Sequence, residues 1–272
     1  MKIGVISDLH IDRYNDETLQ QKDFSLTLAN EVNRQALDML LIAGDISNDH
    51  MRSFRFLQAL EQMTGIEIYF VPGNHDFWNQ SQDDKSTWDI YNFFKNTKYY
   101  RAGSPVDLGN GWALVMNAGW YDYSYASDRF SYDRLKERSY YGGTWQDLVR
   151  IDWQMSDVEV SKKMAENAQQ DLESVKDKKI ILMTHVATHK AFRVPMPNRI
   201  FDYYNAFIGT SDFDSFYEDY DIRYSIMGHI HFRHKVEEGG VEYICACLGY
   251  KREWRTKEIV HEIRDALEVI EI

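Results

Sequence analysis

Five short apolar runs in this chain each lead into aspartate, asparagine or histidine. The runs occupy residues 2–6, 40–43, 67–71, 179–184 and 224–227. The polar residues that follow them are Asp8 and His10, Asp45, Asn74 with His75 and Asp76, His185, and His229 with His231. Runs of this kind predict buried parallel strands. Because ligands of open α/β sheets collect at the carboxyl ends of strands, we expect all five polar groups at one edge.

The donor types indicate a metal site at that edge. Residues two apart on a strand project to the same side, so Asp8 and His10 are aimed together. Oxygen and imidazole donors without thiolates suit manganese, iron or zinc better than a structural zinc site built from cysteines. A polar residue at one strand end is common without any metal. The five groups together favour a shared site.

The order of these motifs resembles the calcineurin-like metallophosphoesterase superfamily. That family's pattern is D-x-H, G-D, G-N-H-(D/E), a lone histidine after a strand, and G-H-x-H. The chain carries D-L-H, A-G-D, P-G-N-H-D, M-T-H and M-G-H-I-H in the same order between residues 8 and 231. The resemblance implies an α/β fold, a four-layer α/β/β/α sandwich of two mixed β-sheets flanked by helices. It also implies two divalent metal ions and hydrolysis of phosphate esters by a metal-bridging hydroxide.

The resemblance also assigns roles by position. The ligands of one ion would be Asp8, His10, Asp45 and His231. Those of the second ion would be Asp45, Asn74, His185 and His229, with Asp45 bridging. His75 matches the family's catalytic histidine, and Asp76 matches the carboxylate that orients it. His185 is preferred to His189 as the ligand because it directly follows the strand.

The charges of this ligand set suit a phosphate ester. Two divalent ions carry four positive charges, and Asp8 and Asp45 carry two negative charges. A bridging hydroxide then leaves a net charge of about +1. His75 could then protonate the leaving alkoxide or hold a phosphate oxygen, with Asp76 fixing its tautomer.

Composition predicts one enzyme-sized unit spanning residues 1–272. The chain is 44% hydrophobic, which is enough for a sizeable core, and it contains no linker or repeat. Neither a secretory signal nor a membrane span is expected. Cys245 and Cys247 lie two apart on a predicted strand and are expected to be free thiols, which favours a cytoplasmic location. The net charge of −12 argues against strong nucleic-acid binding and against docking on an anionic membrane.

Helical periodicity is visible near residues 17–34, 52–63, 84–96 and 155–176. Residues 120–153 interrupt this layout with ten aromatic residues in 34, about twice the 14% of the whole chain, and interleaved arginines. This insertion could be a lid beside the metals, an aromatic cap that packs on the sandwich, or a dimer contact. A second candidate wall spans 192–207. The candidate substrate contacts are His189, Arg193 and Arg199.

The sequence therefore predicts a dinuclear metal-dependent phosphoesterase, either a phosphatase or a phosphodiesterase. Its partner would be a small-molecule phosphate ester, with nucleotides among the candidates. The alternatives are a nuclease of the same superfamily and a non-catalytic metal-binding scaffold. The pair of His75 and Asp76 argues against the scaffold, which has no need of a proton donor. The oligomeric state is left open.

Overall fold

The computed structural model describes residues 1–13, 20–79 and 84–272. Its strands in chain order are β1 (Lys2–Ile6), β2 (Met39–Ile42), β3 (Glu67–Phe70), β4 (Val106–Gly109), β5 (Trp112–Met116), β6 (Ser139–Tyr140), β7 (Gly143–Thr144), β8 (Lys179–Met183), β9 (Ile222–Met227), β10 (His234–Glu238), β11 (Val241–Cys245) and β12 (Glu268–Glu271). Its α-helices are α1 (Gln21–Gln35), α2 (His50–Thr64), α3 (Thr87–Lys95), α4 (Tyr132–Lys136), α5 (Asp147–Arg150), α6 (Asp157–Ser174), α7 (Phe201–Tyr204), α8 (Phe216–Asp219) and α9 (Ile259–Ala266).

Two large mixed sheets form the centre of the fold, which confirms the predicted architecture. The first sheet has the order β12-β1-β2-β3 and is parallel except for β12. The second has the order β10-β11-β9-β8-β5-β4, with antiparallel strands only at its two edges. The strands that precede the polar motifs run parallel within each sheet, so their carboxyl ends share an edge.

The layers follow from side-chain alternation along the strands. In β8, Ile181 and Met183 pack in the core shared with the first sheet, whereas Ile180 and Leu182 pack with Ala168 of α6. The units β1-α1-β2 and β2-α2-β3 are parallel crossovers, which place α1 and α2 on one face of the first sheet. The result is helix, sheet, sheet, helix.

The long helices lie where the periodicity predicts them. The segments near 52–63, 84–96 and 155–176 correspond to α2, α3 and α6. The predicted first helix corresponds to α1 from Gln21 onward, and its expected start at residues 17–19 lies outside the described residues. Helix α6 begins with a reciprocal cap between Ser156 and Glu159, which satisfies backbone N–H groups that have no partner within the helix. Among the described residues, no helix is both long and apolar enough to cross a membrane.

Backbone hydrogen bonds join the two sheets at the edge that carries the polar motifs. Ser7 and Cys247, just beyond β1 and β11, form an isolated parallel bridge. The Ser7 N–H donates to the Ala246 carbonyl at 3.0 Å, and the Leu248 N–H donates to the Ser7 carbonyl at 2.9 Å. The motifs of one sheet are therefore held in a defined position relative to those of the other.

Candidate metal centre

The side chains at the strand ends form two adjoining groups of potential ligands. The first group is Asp8, His10, Asp45 and His231, and the second is Asp45, His185 and His229. Within each group, one ligand atom per residue lies within 4.8 Å of the others. Asn74 adjoins the second group, because its Oδ1 lies 3.2 Å from Nε2 of His185. Asp45 is common to both groups, as expected for a bridging carboxylate.

The two oxygens of Asp45 face different groups. Oδ1 lies 3.4 Å from Nε2 of His185, and Oδ2 lies 3.7 Å from Nε2 of His10. Within the described parts of the chain, the buried Oδ2 receives no hydrogen bond. A buried carboxylate oxygen without a donor is unfavourable unless a cation compensates it. The donor set and this orphaned oxygen fit a divalent ion.

Three of the histidines have their second ring nitrogen occupied by an outer partner. Nδ1 of His185 lies 2.7 Å from the Ala43 carbonyl, and Nε2 of His229 lies 2.8 Å from the Phe207 carbonyl. Nδ1 of His231 lies 3.1 Å from Oε2 of Glu253. Each contact makes that nitrogen a hydrogen-bond donor, so in the neutral imidazole the other nitrogen is the one that carries a lone pair toward the ligand group.

The backbone at the site is strained. Five ligand candidates have positive φ: Asp8 at 55°, His10 at 44°, Asp45 at 56°, His229 at 72° and His231 at 57°. This left-handed region costs a residue with a side chain roughly 1–2 kcal/mol, and such outliers cluster at functional sites. A Cβ on Gly228, which precedes His229, would lie 2.6 Å from the Ala43 carbonyl oxygen and 2.7 Å from Oδ2 of Asp8.

Negative charge accumulates beneath the ligands. Asp8, Asp45, Asp76 and Asp147 are all fully buried, and in the described structure none forms an ion pair with lysine or arginine. Burial raises the pKa of Asp8 and of Asp147. It also raises the pKa of Asp45, but His185 and His75 outweigh it and hold that pKa well below its usual range. The two aspartates expected as metal ligands are therefore joined by Asp76 and Asp147, and the site has capacity for several positive charges.

The contacts of His75 and Asp76 differ from the prediction. Nδ1 of His75 lies 2.6 Å from Oδ1 of Asn48, so Asn48 orients this imidazole. The carboxylate of Asp76 instead accepts backbone N–H groups of Asp45, Ile46, Ser47 and Gly73 and the Ser53 hydroxyl. The expectation that Asp76 fixes the tautomer of His75 is wrong, because its oxygens are occupied in holding the loop that carries Asp45. Burial lowers the pKa of His75 to about 3.

A family model described as calcineurin-like phosphoesterase matches residues 1–233. The chain belongs to this family. The predicted resemblance is thereby confirmed.

Curated relatives of this chain include uncharacterised metallophosphoesterases from two Helicobacter pylori strains. They are 32% identical over 81 residues and 31% identical over 94 residues, covering 29% and 34% of this chain. The chain spans only 20% and 24% of the length of these relatives.

Solved structures share the fold at low identity. A phosphopantetheinyl hydrolase from Mycobacterium tuberculosis superposes with a TM-score of 0.77 at 19% identity, covering 99% of this chain and 95% of that one. A dimetal phosphatase from Danio rerio gives 0.55 at 13% identity, covering 90% and 86%. Both belong with the calcineurin-like sandwich seen here.

Four of the candidate ligands, Asp45, Asn74, His229 and His231, line an open cleft of about 630 Å³. One wall is apolar and is lined by Phe192, Val194, Phe201, Ile208, Ile230 and Phe232. The lining also includes the cationic side chains of Arg13, Lys251 and Arg252. The Arg13 guanidinium lies 5.3 Å from the ring centroid of Trp78 and 5.2 Å from that of Tyr250, so two aromatic rings flank it.

The aromatic segment 120–153 reaches the cleft with its residues 144–147. The Trp145 ring lies 5.8 Å from that of His229, on the same side of the sandwich as the ligands. Trp120, Tyr121, Tyr125 and Trp153 are buried, so much of the segment also packs as a cap. Arg138 pairs with Asp157, and Arg129 lies 3.4 Å from Asp202, so these arginines are engaged within the fold.

The three candidate substrate contacts lie outside the residues that line the cleft. The His189 ring packs 4.3 Å from that of Tyr243, and its Nε2 lies 3.7 Å from Oε2 of Glu238. The Arg199 guanidinium lies 4.3 Å from the Tyr141 ring, and Arg193 is half-buried. The expected wall at 192–207 does contribute, but through its apolar residues. We therefore do not propose these three side chains as substrate contacts.

Gly228→Ala tests the close packing behind the ligands. The added methyl group would meet a backbone carbonyl and the Asp8 carboxylate, so we expect the free energy of unfolding to fall by about 1–3 kcal/mol and metal content to drop. Chemical denaturation and elemental analysis measure the two effects. Gly240→Ala is the control, because φ is 82° there but nothing lies within 4 Å of the new Cβ. Metal loss in the control would contradict this account.

Proposed function

We propose that this phosphoesterase uses two divalent ions, of manganese, iron or zinc, to hydrolyse phosphate mono- or diesters of a small molecule. The observation that carries the proposal is Asp45, whose two oxygens face two ligand groups on the floor of a cleft. The proposed ligands are Asp8, His10, Asp45, Asn74, His185, His229 and His231. The proposed unit is one domain over residues 1–272, with 120–153 as an insertion that affects which esters are accepted.

The side chains above the ligands suit proton transfer to a leaving group. When bound, the ions would supply Lewis acidity toward phosphoryl oxygens and an activated water. Nε2 of His75 lies 3.9 Å from Oδ2 of Asp45 and faces the cleft. Oδ1 of Asn48 accepts a hydrogen bond from the Nδ1–H group of His75, so in the neutral ring Nε2 carries no proton. Donation of a proton from Nε2 therefore requires the imidazolium form, which the negative charge of a bound phosphate favours. His75 would then protonate the leaving alkoxide or hold a phosphate oxygen.

The cleft suits an ester with an anionic part and an apolar or extended part. Arg13 makes no ion pair within the described residues, and the two rings that flank it leave its N–H groups able to bind an anion. The apolar wall with Phe201 and Phe232 would hold an extended arm. A phosphopantetheinyl ester therefore belongs in a substrate panel with cyclic nucleotides and dinucleotides.

Two other readings are less well supported. A nuclease requires basic residues along a phosphate track, whereas the net charge is −12 and the lining of the cleft is mostly apolar. A non-catalytic scaffold has no need of His75 held by Asn48 beside the ligands. A cytoplasmic location remains a proposal, which the free thiols of Cys245 and Cys247 support.

Hydrolysis assays test the proposed function directly. With manganese, the protein should hydrolyse p-nitrophenyl phosphate or its bis ester and bind close to two ions per chain. Asp45→Asn should lose most of both ions and the activity, because one carboxylate serves both groups. Asp171→Asn is the control, since Asp171 is a buried carboxylate that accepts the Gly103 N–H. Bound metal without hydrolysis of any ester would favour the scaffold.

His75→Ala should lower kcat by about 10²-fold or more without loss of metal, the usual magnitude for a positioned proton donor. Asn48→Ala should lower kcat less, by about tenfold, because it only frees the imidazole to rotate. Added to His75→Ala, it should have no further effect. Steady-state kinetics of the four proteins measure this cycle, and independent effects would show that Asn48 does not act through His75.

Arg13→Gln should raise KM about tenfold or more for esters that carry a second anionic group, because a charge-assisted hydrogen bond is lost. The effect on bis(p-nitrophenyl) phosphate, which has one negative charge, should be smaller. Arg101→Gln serves as the surface control, since Arg101 bonds to Ser104. Equal changes in KM for both ester types would remove Arg13 as a second anion contact.

A further inference from the structure

Asp147 is a buried carboxylate that comes from the aromatic insertion and contacts a proposed metal ligand. It is the first residue of the short helix α5. Nδ2 of Asn74 donates to its Oδ1 at 2.9 Å and lies 3.2 Å from its Oδ2. No motif marks this aspartate, and it lies 73 positions from Asn74 in the sequence.

Only donors surround this carboxylate. Besides Asn74, the indole N–H groups of Trp78 and Trp145 donate to it at 2.7 and 2.9 Å, and the Tyr121 hydroxyl donates at 3.2 Å. An ionised carboxylate is purely an acceptor, so it matches four donors at once. An asparagine side chain would place its own NH₂ group against some of them.

The contact decides which end of the Asn74 amide faces the ligand group. With the NH₂ group bound to Asp147, Oδ1 is the atom that lies 3.2 Å from Nε2 of His185. A rotation by 180° would present NH₂, which cannot bind a cation. A negatively charged acceptor on the NH₂ group also polarises the amide and makes Oδ1 a better donor to a metal.

We propose that Asp147 is a positioning residue for metal binding, which holds the Asn74 oxygen toward the second ion and links the aromatic insertion to the centre. The inference rests on the proposed dinuclear function. It deepens that function by assigning part of the second ion's affinity to the insertion.

A second buried carboxylate in the same region provides a matched control. Asp157 accepts the Trp120 indole N–H at 2.8 Å and bonds to the Tyr123 hydroxyl and to Arg138. It organises the same aromatic segment but touches none of the proposed ligands. Substituting either aspartate should lower the melting temperature, so stability alone cannot distinguish the two.

Titration with Mn²⁺, followed by calorimetry and by electron paramagnetic resonance of the coupled ion pair, provides the test. Asp147→Asn should weaken the second ion by about 10–100-fold and reduce the coupled-pair signal at limiting metal. Asp157→Asn should leave both readouts as in the wild type. Unchanged affinity for the second ion in a folded Asp147→Asn variant would overturn the inference.

Asn74→Asp decides the matter even if Asp147→Asn does not fold. A carboxylate ordinarily binds a divalent ion better than an amide does. Here it would face Asp147 at hydrogen-bond distance, so we expect the second ion to bind about tenfold more weakly or worse. Binding as tight as in the wild type would overturn the inference. If the wild-type protein itself binds fewer than two ions, the dinuclear proposal fails instead, and the inference fails with it.

Discussion

Buried negative charge is the constraint around which this end of the molecule is organised. Like charges in a medium of low dielectric repel strongly, and a carboxylate removed from water needs donors or a cation. Each aspartate meets that need differently. Asp76 accepts hydrogen bonds from backbone amides, and Asp147 accepts them from side chains. Asp8 accepts hydrogen bonds from the His229 N–H and from the Cys247 thiol. Oδ2 of Asp45 receives no hydrogen bond from the described residues, so a cation would compensate the buried negative charge most at this atom.

The packing of the two sheets brings these carboxylates and imidazoles together. Asp8 and Asp45 come from the first sheet, and His185 and His229 come from the second. The bridge between Ser7 and Cys247 joins the sheets beside them. Five ligand positions adopt a left-handed backbone, which an unsupported loop would abandon. The ladders continue past the strand ends, as in the bond from the Asp8 N–H to the Gly44 carbonyl, and so maintain the strain.

Much of the fold, and the residues that the structure gathers into candidate ligand groups, could be predicted from the sequence, because each of these residues comes shortly after an apolar strand. Hydrophobic runs and the spacing of the residues that follow them predict that arrangement. The outer partners could not be predicted in the same way. Asn48, Glu253 and Asp147 lie on a loop or in single-turn helices, and only the tertiary fold brings them to His75, His231 and Asn74.

Adjacency in sequence was misleading in one place. Asp76 follows His75 directly, yet its side chain accepts hydrogen bonds from the loop of residues 45–47. The imidazole of His75 contacts Asn48, the residue that follows this loop. The substrate wall shows a related difficulty. His189, Arg193 and Arg199 have the right chemistry for phosphate, but the side chains that line the cleft there are apolar. Which side chains of an irregular segment face a cleft cannot be predicted from its composition.

The tie between Asp147 and the indoles of Trp78 and Trp145 also has an entropic consequence. Neither ring can turn without breaking a bond to a buried carboxylate, so the part of the cleft that these two rings line is ordered in the free protein. The conformational entropy of such side chains, about 0.5–1.5 kcal/mol each when immobilised, is then lost during folding and not during binding. The two indoles therefore form a rigid surface, which can exclude a group by its shape but adapts little to it.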